Sequence, residues 1–178
     1  MKVLYWRMLP LLFFMGLVFF FWRGLSLDPG HLPSSQLGKD LPSFRLPVLG
    51  DPNVELTSAT FRGQVTLLNV WASWCHACTE EQYFLLKLAR EGVTIYGMNY
   101  KDRVEDAKDW LTTWGNPYRL VGEDVTGRVG IDLGVYGTPE TFLIDKRGVI
   151  RYRHAGALTE VVWQNELLPL MKQWEQSA

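Results

Sequence analysis

The sequence predicts an α/β domain, a mixed central β-sheet flanked by helices, behind an N-terminal membrane anchor. Three observations predict it. Two continuous apolar runs rich in β-formers, QVTLLNVW (64–71) and VTIYGMNY (93–100), read as strands buried on both faces. Segments of helical spacing alternate with strand-like runs in the order β-α-β-α-β-insert-β-β-α, which implies helices on both sides of the sheet. Residues 8–22, MLPLLFFMGLVFFFW, are almost unbroken apolar sequence. The chain of 178 residues is 47% hydrophobic and 21% charged, enough for one packed domain and a short extension. The expected division is an anchor over 1–23, a linker over 24–42 and the α/β domain over 43–178.

The anchor comes first. Fifteen apolar residues span about 22 Å as a helix, short of a hydrocarbon core of about 30 Å. Adding VLYW, with Arg7 snorkelling to the surface, brings the stretch near 20 residues. Trp6 and Trp22 then mark the two interfaces, and the positive residues Lys2 and Arg7 predict an N-terminus inside. A cleaved signal peptide, cut before Leu27 with Gly24 and Ser26 as its small residues, fits the cleavage rules less well. Residues 24–42 are rich in Gly, Pro and Ser and lack periodicity, as a linker does. From Arg23 onward there are 16 basic and 19 acidic residues, a net of −3, so there is no electrostatic footprint for nucleic acid.

Within the domain, SFRLPVLG (43–50) suggests a short strand, with Pro47 favouring a sheet edge. The segment 76–90 has helical spacing and ends at Gly92 after Lys87 and Arg90. A second helix is expected over 103–114, stopped by Gly115 and Pro117. YRLVG (118–122) reads as a third strand, and 124–137 as a short helix with loops. TFLID (141–145) and VIRYRHA (149–155) flank the turn KRG as a hairpin. A terminal helix covers 159–174, with a kink expected at Pro169.

The two cysteines, Cys75 and Cys78, carry the chemistry. A C-x-x-C pair serves structural zinc, haem attachment or thiol redox exchange. Zinc wants four N or S ligands, and the other soft candidates are the scattered His31, His76 and His154. Haem attachment wants a histidine where Thr79 stands. A purely structural disulfide would close a very small loop and constrain the unfolded chain little. Redox exchange fits the placement: Cys75 follows a buried strand and opens a helix, where unpaired N–H groups and the helix dipole favour a thiolate. Cys75 is the expected attacker, and Cys78, one turn inward, the resolving thiol. At 100° per residue, Glu81 falls mid-face among Ala77, Cys78, Phe84, Leu85 and Leu88, the side a helix buries. A carboxyl there needs partners or a raised pKa, and stands one turn from Cys78, placed to take its proton. An edge position, bonded to backbone or water, is the alternative.

WASWCHAC after an apolar strand resembles the W-C-x-x-C site of the thioredoxin superfamily. GMNYKD (97–102), GNPY (115–118), GVYGTPETFLID (134–145) and GVIRYRHAG (148–156) narrow the resemblance to the CcmG/DsbE family of bacterial cytochrome c maturation, over most of residues 40–174. The resemblance implies a thioredoxin-like fold, a redox-active Cys75–Cys78 disulfide with no other cofactor, and a cis Thr138–Pro139 bond facing the dithiol. It also implies functional acidic residues at Glu81 and Glu140, and a domain in the periplasm tethered to the inner membrane. Implied partners are apocytochrome c, or haem-ligation components handling it, and a membrane dithiol carrier of the DsbD/CcdA type. A monomer is expected. Substrate is expected along Trp74, Gly137 and Thr138, an extended segment pairing beside Pro139 as an added strand. Trp71 belongs to the core or helps cover the dithiol.

Two departures from thioredoxin bear on mechanism. Its buried Asp, six residues before the first cysteine, is Asn69 here, which leaves proton transfer to Glu81 or Glu140. The residues between the cysteines are His76 and Ala77; a cationic His76 would favour the Cys75 thiolate and a more oxidising couple, a neutral solvated one would not. Alternatives on this fold are an oxidant or broad-specificity disulfide oxidoreductase, and a copper carrier using Cys75, Cys78 and His154.

Overall fold

In a computed structural model, which describes residues 2–25 and 36–176, the chain divides into two units, Met1–His31 and Leu32–Ala178. The first holds one helix, α1 (Lys2–Leu25), whose side chains are described and exposed over residues 8–24. Among the described residues no helix is long and apolar enough to cross a membrane. The candidate cleavage site at Ser26 and Leu27, His31 and residues 26–35 of the expected linker lie outside the described residues. So do the side chains of Trp6, Arg7 and Lys2.

The second unit is a seven-stranded sheet. Its strands are β1 (Arg45–Val48), β2 (Asp51–Thr57), β3 (Thr66–Trp71), β4 (Ile95–Tyr100), β5 (Val121–Asp124), β6 (Glu140–Ile144) and β7 (Ile150–Ala155), in the spatial order β2-β1-β5-β4-β3-β6-β7. β3, β4 and β5 are parallel, and the outer pairings are antiparallel. The sheet is therefore mixed, as expected. Parallel neighbours need crossovers, and α2 (His76–Arg90) and α3 (Val104–Trp114) supply them. α4 (Arg128–Leu133) precedes β6, and α5 (Glu160–Val162) and α6 (Leu168–Gln176) close the chain.

β3 and β4 are buried at every residue. Alternation splits β3 between two cores. Leu67 and Trp71 join Leu85 and Leu88 of α2 and Trp110 of α3, whereas Leu68 and Val70 join Phe61, Met98 and Phe142 on the opposite face. Asn69 shares the α2 side with Leu67 and Trp71 and is fully buried. α2 spans the residues its spacing predicts, and Gly92 beyond it takes φ +93°, a left-handed conformation that suits glycine after a helix.

Four elements differ from expectation. β2 is an unpredicted edge strand, so β1 lies inside the sheet; Pro47 is tolerated because the ladder shifts between Pro47 and Val48, and β1 meets β5 at the single pair Val48–Gly122. β5 begins at Val121, later than the run starting at Tyr118. The irregularity of the terminal helix precedes Pro169: Trp163–Leu167 form a π-helical turn, with the Leu168 N–H bonded to the Trp163 carbonyl. A proline ring crowds the carbonyl four residues back, and a widened turn relieves that contact. At the end of the span read as linker, Gly38 and Leu41 donate to the Ile150 and Gly148 carbonyls at 2.8 Å each, pinning the chain along β7.

Candidate active site

Cys75 is the N-cap of α2. Its φ and ψ of −89° and 108° are extended, and its Sγ accepts the Cys78 N–H at 3.1 Å. Sulfur thus sits where the helix presents unpaired donors and the positive end of its dipole. Cys75 and Cys78 form a disulfide. Cys75 is 5% exposed and Cys78 1%, so the first cysteine is the more open of the two.

The approach to the helix is held from the next crossover. Buried Asp102 accepts the Ser73 N–H at 2.6 Å and the Ser73 hydroxyl at 2.8 Å. It also accepts Asn99 Nδ2 at 2.8 Å and the Arg103 N–H at 2.9 Å. One carboxylate with four donors ties the turn before Cys75 to the end of β4. Trp74 donates from Nε1 to the Lys101 carbonyl at 3.1 Å while its side chain stands 60% exposed beside the dithiol. Trp71 is instead core: fully buried, stacked on Tyr118 at 5.7 Å and tilted against Trp110 at 4.8 Å.

Glu81 lies inside α2's buried face, 2% exposed, as its helical phase predicts. Its Oε1 accepts Asn69 Nδ2 at 2.8 Å, and its Oε2 accepts the Leu158 N–H at 2.6 Å. The carboxyl stands one turn beyond Cys78. Burial raises its pKa from 4.5 to about 7, against the lowering pull of the Leu158 and Asn69 donors. Because the folded pKa lies above the unfolded value, the folded protein binds this proton more tightly. That stability is full below about pH 4.5 and is lost as pH rises through 7, a swing of about 3 kcal/mol. Glu81→Gln is expected to flatten the decline in urea denaturation of the oxidised protein between about pH 4.5 and 7.5; an unaltered slope would count against a titrating carboxyl at this place.

Glu140 is buried too, but paired. Its Oε1 accepts the Tyr136 and Gly137 N–H groups at 2.8 and 3.2 Å, and its Oε2 accepts Arg153 Nε at 2.8 Å. Arg153 Nη2 also stands 2.7 Å from Oε2, off the hydrogen-bonding direction. With a counter-charge and three donors, Glu140 holds the loop of Tyr136 and Gly137. That loop carries half-buried Thr138 and buried Pro139, joined by a cis peptide bond.

His76 extends into solvent, its side chain 94% exposed and its Nε2 3.9 Å from Glu80 Oε1. His154 is half-buried, with Nε2 3.4 Å from the Ala157 carbonyl. Among the described residues no three His, Cys, Asp or Glu side chains are grouped to hold a metal ion.

The sequence reading placed Cys75, Cys78, Glu81, Pro139 and Glu140 but missed their supports: Tyr118, Asp102 and Arg153. Tyr118 and Asp102 stand in GNPY and GMNYKD, which were legible as motifs without a role. Arg153 lies in a strand where its inward direction had no visible partner.

The Redoxin family matches residues 36–166 of the chain. The chain is 48% identical over 166 residues to thiol:disulfide interchange protein DsbE of Pseudomonas aeruginosa, covering 93% of this chain and 92% of that one. It is 47% identical over 152 residues to the protein of that name in Escherichia coli, covering 85% and 82%. A crystal structure assigned as a DsbE thiol:disulfide interchange protein of Chlorobium tepidum is similar with a TM-score of 0.60 and 26% identity, over 80% of this chain and 96% of that one.

Proposed function

This chain belongs to the DsbE family of thiol:disulfide interchange proteins and is a thiol:disulfide oxidoreductase with a thioredoxin-like fold; on that premise we propose that it is a membrane-anchored periplasmic reductant of cytochrome c maturation. It reduces the disulfide of apocytochrome c, or of a partner handling it, before haem is attached. The observation that carries the chemistry is Cys75 Sγ at the mouth of α2, accepting a backbone N–H at 3.1 Å. A thiolate there is stabilised before any substrate arrives.

The reduced protein attacks first through the Cys75 thiolate. A Cys75–substrate bond forms as the substrate S–S bond breaks, and the departing substrate sulfur takes up a proton. Cys78 then gives its proton to Glu81 and attacks Cys75 Sγ, forming the intramolecular disulfide and releasing the second substrate thiol. The substrate gains two electrons and the dithiol loses them. A membrane dithiol carrier restores the pair. The anchor reading rests on the apolar run of residues 8–22, and the N-inside orientation on Lys2 and Arg7.

Cys78→Ser removes the resolving thiol and leaves the attacking one. Expressed as the full chain in its exported compartment, that variant is expected to accumulate a mixed disulfide through Cys75. Mass spectrometry of the adduct should find a cytochrome C-x-x-C-H segment or a haem-ligation protein. Adducts confined to unrelated exported proteins would replace this reading with broad-specificity exchange.

A further inference from the structure

We propose that Tyr118 is a positioning residue for disulfide exchange: its hydroxyl fixes which end of the Asn69 amide faces Glu81, and so keeps that carboxylate ready to receive the Cys78 proton. The proposal rests on the reading of Glu81 as proton acceptor.

Asn69 makes three buried contacts. Tyr118 Oη donates to its Oδ1 at 2.7 Å, and its Nδ2 donates to Glu81 Oε1 at 2.8 Å and to Thr141 Oγ1 at 3.1 Å. The two ends of an amide are nearly the same size, so its orientation is set by hydrogen-bond partners and not by shape. A phenol has one O–H, and burial pushes the Tyr118 pKa well above 10, which keeps that hydrogen in place across the working pH range. A turned amide would point its NH2 at the phenol and leave the buried Tyr118 O–H without its acceptor, so the amide oxygen faces the phenol and the NH2 faces Glu81.

An NH2 only donates. It matches a carboxylate and has nothing to offer the O–H of a carboxylic acid. The Leu158 N–H on the other Glu81 oxygen is also donor-only. Both oxygens therefore meet groups that favour the ionised form, against the burial that opposes it. Turned through half a revolution, the amide would instead present a carbonyl to Glu81, which suits the protonated acid.

Tyr118 is itself fixed from three sides. Its N–H donates to Asn116 Oδ1 at 2.9 Å within GNPY. Its ring stacks on Trp71 with 15° between planes. Gly97 of β4 leaves the room: a Cβ there would lie 2.9 Å from Tyr118 Cγ and 3.0 Å from Trp71 Nε1. Among the described residues, the groups bearing on Glu81 are Asn69 on β3, the Leu158 N–H beyond β7, Tyr118 ahead of β5, and Thr141 on β6 acting through Asn69, while Cys78 stands one turn back on its own helix.

Tyr118→Phe keeps the ring and its stack and removes only the donor. In the full chain, oxidised so that neither cysteine titrates, the Glu81 carboxyl carbon can be followed by NMR with labelled glutamate and assigned by its loss in Glu81→Gln. The expected result is a midpoint raised by about one pH unit or more in Tyr118→Phe, the size of one charge-assisted hydrogen bond. In the reduced protein the resolution step at neutral pH should slow about tenfold and recover as pH rises. Thr141→Val removes a hydroxyl from the same amide but keeps the phenol donor, so it should move the midpoint far less. An unmoved or lowered midpoint in Tyr118→Phe, or an equal rise in Thr141→Val, overturns the proposal. Its failure is distinct from failure of the Glu81 reading: in the latter, Glu81→Gln leaves the pH dependence of resolution unchanged while Tyr118→Phe still raises the Glu81 midpoint.

Discussion

Cys75→Ser is expected to lower disulfide reduction by more than about 10³-fold, to the background of uncatalysed exchange. A serine hydroxyl has the same N-cap geometry, and a Ser N-cap is a good one, so helix α2 should persist. What disappears is an ionisable, polarizable sulfur able to enter and leave an S–S bond. The variant also loses the intramolecular disulfide. That link spans a sequence separation of 3, and closing so small a loop contributes only about 2 kcal/mol on the chain-entropy account. Folding should therefore survive while exchange does not. Cys78→Ser must behave differently: one round of attack at Cys75 proceeds, then stalls as an adduct. The measurement is single-turnover exchange with a disulfide peptide, alongside urea denaturation of each variant. If Cys75→Ser retains a tenth of the wild-type rate, the helix-cap sulfur is not the nucleophile.

How much of this was legible in the sequence depends on the range of the interactions involved. α2 is local, and its spacing, its Gly92 stop and its buried face all read correctly. Helical phase alone places a carboxyl on that face, one turn beyond Cys78. Gln82 was not so readable. It sits beside the predicted face yet is 2% exposed, because its Nε2 reaches the Gly115 carbonyl at 2.6 Å, a partner on another element. Asn69 shows the same limit more sharply. Strand alternation turns it toward α2, but the phenol that orients it stands 49 residues away. β2 left little trace because Asp51 to Glu55 are all exposed and Leu56 is its buried anchor. An edge strand wet on both faces over its first five residues lacks the alternation by which strands are recognised. The motif-level resemblance named the cis-proline segment; it did not say that Arg153 holds it.

Arg153→Met is expected to cost about 3–5 kcal/mol of stability, the range for removing one partner of a buried ion pair. Arg153 and Glu140 have side-chain exposures of 3% and 2%, so water cannot replace what is lost. Glu140 would keep the Tyr136 and Gly137 N–H donors but hold an uncompensated charge. Arg153 also does more than neutralise it. Its guanidinium lies 4.5 Å from the Tyr136 ring centroid and 5.8 Å from that of Phe142. A planar cation can bridge these rings while Nε donates to the carboxylate, whereas a lysine ammonium offers a point charge and no stacking plane. Arg153→Lys should accordingly recover only part of the loss. The double variant Glu140→Gln, Arg153→Met removes both charges and should be more stable than Arg153→Met alone, because the penalty belongs to the orphaned carboxylate. Function should follow the loop. Tyr136 and Gly137 lead directly into Thr138 and Pro139, so slackening their hold on Glu140 blurs the surface against which a substrate strand would lie. kcat/KM for a protein disulfide should then fall further than reactivity toward a small disulfide, which needs Cys75 but not the loop. Denaturant midpoints for the three variants test the energetics, and the ratio of the two exchange rates tests the loop. A single-variant cost below about 1 kcal/mol, the level of an exposed pair, would mean that the carboxylate reaches water in solution and that the ion pair does not hold the loop.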